Sequence, residues 1–85
     1  MYLKWNSFKT YCIEKNIQLL KDDFKFIERE LVKIPPRLYR SVLSDFTKEW
    51  LKVLAEETNA SQAQNLARRT SNKWLREECE RLKAQ

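Results

Sequence analysis

Residues 33–61 read "KIPPRLYRSVLSDFTKEWLKVLAEETNAS", and the fold follows from how this stretch starts and stops. The residue before a proline is pushed out of the α region, so the helix preceding Pro35 must end there. Pro36 in turn suits the first turn of a new helix. Beyond that corner Tyr39, Val42, Leu43, Phe46, Trp50, Val53 and Leu54 recur at helical spacing on one broad apolar face. They predict a third helix over roughly 36–57. "ETNAS" then breaks the pattern, with Asn59 or Ser61 as N-cap of a last helix running over about 61–82.

Upstream of the corner, Ile17, Leu20, Phe24, Ile27, Leu31 and Ile34 alternate by three and four, which predicts a core-facing helix from Ile17 onward. Asp22-Asp23 suits either a cap or the surface of that helix. Before it, "LKWNSFKTYCIEKN" places Trp5, Phe8 and Cys12 at helical spacing beside Tyr11 and ends near Asn16. The chain has no glycine, and Pro35-Pro36 are its only prolines, so the other connections must use Asn, Asp, Ser and Thr chemistry. The expectation is an all-α, compact bundle of about four helices, forming a single domain over 1–85. A chain of this length buries only about 60–65% of its unfolded surface, so the large side chains Trp5, Trp50, Trp74, Phe8, Phe24, Phe26 and Phe46 are read as core. Tyr2, Tyr11 and Tyr39 stay unplaced.

Several function classes fall away on composition. There is no histidine, and Cys12 and Cys79 are far apart, so zinc spacing and Cys-His catalysis are missing. The reading is a protein without enzymatic activity, metal or cofactor, its two thiols reduced and buried. No apolar run approaches the roughly 18 residues of a membrane span, which points to a soluble cytoplasmic protein with no membrane partner.

The last helix carries the chemistry. At about 100° per residue, Ala63, Ala67, Thr70 and Trp74 fall on one side, flanked by Leu66 and by Leu75 and Leu82, and this side is expected to pack. Opposite lie Asn65, Arg68, Arg69, Asn72 and Arg76 within a strip roughly 100° wide, with Lys73 at its margin and no carboxylate before Glu80. Segregation of this kind says more than the net charge of +5, because the earlier helices intersperse both signs. Arginine bonds phosphate or guanine bidentately and asparagine pairs with adenine, a combination suited to a DNA major groove. Arg37 and Arg40, just after the proline corner, extend the candidate DNA-binding set.

"KIPPRLYRSVLSDFTKEWLKVL" followed by "NLARRTSNKWLREECERL" resembles the helical region of replication initiators of bacteriophages and their satellites. In those proteins a proline-led helix carrying a basic residue precedes an Arg-rich helix of the pattern ARR-x-x-N-x-W-L-R. The resemblance covers roughly Ile34 to Leu82. It implies sequence-specific binding of double-stranded DNA at the replication origin of a phage or mobile element, in a bacterial host cytoplasm, alongside other replication proteins. It also admits that these residues are the N-terminal domain of a longer initiator. The nicking enzymes among such initiators use a histidine-rich metal site and a catalytic tyrosine, so their catalysis does not carry over to a chain without histidine. The long third helix and the glycine-free link at 58–61 leave room only for a variant of the helix-turn-helix. A competing reading is a small phage-type adaptor or inhibitor whose basic face binds an acidic protein surface. Oligomeric state is not written in the sequence.

Overall fold

The computed structural model describes residues 5–83; Tyr2 and the side chain of Trp5 lie outside the described part. Helix α1 (Trp5–Glu14) ends without glycine because Asn16 takes the left-handed position, at φ 61°. The Asn16 N–H donates to the Ile13 carbonyl at 3.1 Å and the Ile17 N–H to the Cys12 carbonyl at 2.8 Å, the paired bonds of a Schellman ending. Ile17 and Cys12 are both buried in the core that this turn helps close.

Helix α2 (Lys21–Leu31) begins later than its apolar stripe predicts. The Asp23 carboxylate accepts the Leu20 N–H at 2.8 Å, so Leu20 is the N-cap and residues 17–20 remain non-helical. Leucine has no side-chain acceptor, so only the carboxylate half of a capping box is made. Leu20 stays 59% exposed instead of joining the core. The aspartate pair also resolves: Asp22 is exposed, whereas Asp23 is buried. At the other end Glu30, itself buried, holds Lys33 at 2.8 Å.

The proline corner forms as read, except that its first turn is a 3-10 turn over Pro36–Leu38 and helix α3 proper spans Tyr39–Glu56. Helix α4 (Ala60–Leu82) follows after a short link, with Asn59 as the cap. Its Oδ1 accepts the Ser61 N–H at 3.1 Å and the Ser61 hydroxyl at 2.7 Å. Four α-helices and no strand are found among the described residues, in a body with a radius of gyration of 12.6 Å. An ordinary globular chain of this length has a value of about 12 Å.

The antiparallel α3–α4 pair is the heart of the packing. On α3, Val42, Leu43, Phe46 and Trp50 are buried as predicted, Phe46 and Trp50 having no exposed surface and lying 6.0 Å apart between ring centroids. On α4 the buried residues are Ala63, Ala67, Ser71, Leu75 and Cys79, which corrects the predicted face. Thr70 and Trp74 are only half-buried at its border. The physical reason is that helices in contact interlock along rows four residues apart, and such a row drifts by about 40° per step. By Cys79 the row has moved to the side on which Arg68 and Asn72 lie. The small residues Ala63, Ala67 and Ser71 leave space for the rings of α3. Phe24, Phe26 and Phe8 are half-buried, with Phe8 meeting Phe24 edge-on at 6.3 Å.

Candidate nucleic-acid interface

The residues read from the sequence as one basic strip separate into a set that holds the fold together and a set that faces water. Arg68 leads the first. Its Nε donates to Asp23 Oδ2 at 2.7 Å, its Nη2 to the Gln18 carbonyl at 2.7 Å and its Nη1 to Asn65 Oδ1 at 2.9 Å. The guanidinium also lies 5.5 Å from the centre of the Trp50 ring, within range of a cation–π contact. Asn72, one turn on, donates its amide to Asp23 Oδ1 at 3.3 Å. The side chains of Arg68 and Asp23 are 19% and 6% exposed, so the pair sits at the edge of the interior.

Gln64 completes this polar seam one turn before Arg68. Its Oε1 accepts the Trp50 indole N–H at 2.9 Å and the Gln18 N–H at 3.2 Å, and its Nε2 donates to the Asn16 carbonyl at 2.7 Å. The non-helical residues 16–20 are thereby fastened to α4 through two side chains at helical spacing, satisfying backbone groups that no helix can satisfy. Gln18 and Gln64 were not singled out in the sequence, and Asp23 was read only as a cap or surface residue of its own helix. The one available signal was an acid at the third position of a helix, which marks a capping acceptor but not its partner across the chain.

The second set stays outward. Arg69, Lys73, Arg76 and Asn65 are exposed on α4 and occupy a strip about 80° wide. Among the described residues no ion pair engages Arg69, Lys73 or Arg76, whereas Lys33, Lys48, Arg81 and Lys83 each have a carboxylate three residues away. No Asp or Glu occurs from Ala60 to Arg76, so the amino-terminal three-quarters of α4 carries no negative side chain. Asn65 keeps its amide donors outward while its oxygen serves Arg68.

Arg37 and Arg40 stand elsewhere. Both are exposed and line a groove of about 1100 Å³ between α1, the proline corner and the start of α3, to which no α4 residue contributes. They are therefore a separate basic site.

Both thiols are free and buried, and burial pushes Cys12 and Cys79 up to about 11. Among the described residues no cluster of His, Cys, Asp and Glu could hold a metal ion, and no helix is long and apolar enough to cross a membrane. Comparison with protein-family models, curated proteins and solved structures finds no match for the chain.

Proposed function

We propose that the chain binds double-stranded DNA through the outward strip of α4, with Arg69 and Arg76 as the groups able to read guanine or grip phosphate, Lys73 as a phosphate contact and Asn65 as a base-edge donor. The observation that carries this reading is the set of exposed cations Arg69, Lys73 and Arg76, in no ion pair among the described residues, on a carboxylate-free stretch of one helix. They span a rise of about 10 Å, compatible with a helix lying in a major groove about 12 Å wide. Arg68 and Asn72 act here as positioning residues. By anchoring α4 to Asp23 they set which face turns outward. Action at a replication origin of a phage or mobile element rests on the resemblance of residues 34–82 to replication initiators.

The test is fluorescence anisotropy against tiled duplexes over a range of salt concentrations. Three phosphate contacts correspond to a slope of about −2.7 in log affinity against log salt, so a roughly four-fold rise in salt weakens binding by about forty-fold. The Arg69→Ala, Lys73→Ala, Arg76→Ala triple variant is expected to stay folded and lose most of this slope. Unchanged duplex binding by the folded triple variant refutes the assignment. Stoichiometric capture of one acidic protein, with no salt-sensitive duplex shift, favours the adaptor reading instead.

A further inference from the structure

The groove that holds Arg37 and Arg40 is independent of the α4 strip and has its own chemistry. Its walls bring Phe8 and Tyr11 of α1 to face Tyr39, Arg37 and Arg40, with Pro35-Pro36 at the corner. Tyr11 and Tyr39 are half-buried, which seats the rings and leaves part of each open. Arg37 and Arg40 are exposed and take part in no ion pair among the described residues. Lys15, outside the groove lining, lies 5.9 Å from the Tyr11 ring centre. None of the described lining residues is acidic.

We propose that this groove binds a short run of single-stranded nucleic acid, its bases stacked on Tyr11 and Tyr39 and its phosphates held by Arg37 and Arg40. Charge complementarity requires an anionic occupant, and the aromatic walls require flat apolar surface on the same molecule. A single strand supplies both at every residue. At about 1100 Å³ the groove is at the upper end of the usual pocket range of about 300–1000 Å³, with room for an extended ligand. An acidic peptide matches the charge but fits the walls less well. The walls are helices, which offer no open strand edge, and the corner is two prolines without N–H, so an extended peptide finds no strand to pair with.

The experiment is anisotropy of a labelled oligothymidylate with the whole chain, paired with photocrosslinking of a strand carrying 5-iodouracil and mapping of the adduct by mass spectrometry. Arg37→Ala with Arg40→Ala, and separately Tyr11→Leu, are expected to weaken strand binding by about ten-fold. The crosslink is expected on Tyr11 or Tyr39 of the unaltered protein, a readout that needs no variant to fold. The Arg69→Ala, Lys73→Ala, Arg76→Ala triple variant retains strand binding, so failure of the duplex reading and failure of this one are separable. The proposal is overturned if the crosslinks fall only outside the groove, if folded groove variants bind the strand as before, or if strand binding is lost with the α4 triple variant. It is equally overturned if an acidic tyrosine-containing peptide of matched charge binds the groove more tightly than the strand.

Discussion

Replacing Arg68 by alanine leaves the Asp23 carboxylate buried with only the Leu20 N–H and the Asn72 amide for company. Removing one partner of a buried ion pair costs about 3–5 kcal/mol. Here the arginine side chain is 19% exposed, so water reaches the vacated edge, and Asp23 keeps two donors; both facts place the loss near the lower limit, about 3 kcal/mol. For a domain of this size each kcal/mol moves Tm by about 4–8 °C, so the variant should melt about 12–24 °C lower. Circular dichroism melts and urea titrations measure the effect, with Arg69→Ala as the neighbouring control, expected within about 0.5 kcal/mol of the parent. A double-mutant cycle with Asp23→Ala should return a coupling of about 2 kcal/mol. At a temperature where the Arg68 variant is folded, its duplex affinity should exceed that of Arg69→Ala. If Arg68→Ala and Arg69→Ala prove equally stable, the division of the basic residues into anchoring and outward sets is wrong.

Gln64→Ala orphans the Trp50 indole N–H and removes the bonds to the Gln18 N–H and the Asn16 carbonyl, and should cost about 2 kcal/mol with a shift in tryptophan emission; an unaltered melt and spectrum would show that water replaces the amide without loss. Asn16→Ala keeps a side chain at φ 61° without the asparagine's tolerance of that region and should cost about 1 kcal/mol, whereas Asn16→Gly should be near neutral by urea titration; equal losses would argue against the left-handed ending of α1. Each thiol is raised from 9.0 to about 11 by burial, so the folded state holds protons that the unfolded state releases. The contribution of the two thiols to stability is therefore complete below about pH 9 and is lost between about pH 9 and 11, and Cys12→Ser with Cys79→Ser should flatten that part of the pH profile.

The helices themselves were legible in the sequence, because their signals are local. A proline pair must break a helix whatever surrounds it, and seven apolar residues at helical spacing on α3 leave little choice of which side is buried. The absence of glycine likewise forced the turns onto asparagine, and Asn16 and Asn59 took them. The α4 interface was less legible. Its sequence pattern placed Arg68 with Arg69 and Asn72 with Arg76, since a helical wheel weighs only residue type and angle. What separates them is the path of residues 16–20 and the entry of Asp23 beneath Arg68, contacts between positions 45 to 50 apart in the chain. Local periodicity carries no information about such pairings, and the polar Ser71 broke the hydrophobic signature in the middle of the buried row. The sequence by itself determined four helices, their corner and the basic character of the last one. Only the tertiary structure decided which of those basic groups are tied inward, because a charge is drawn into the fold by the acceptor it meets there, and Arg68 met Asp23 whereas Arg69 met no carboxylate among the described residues.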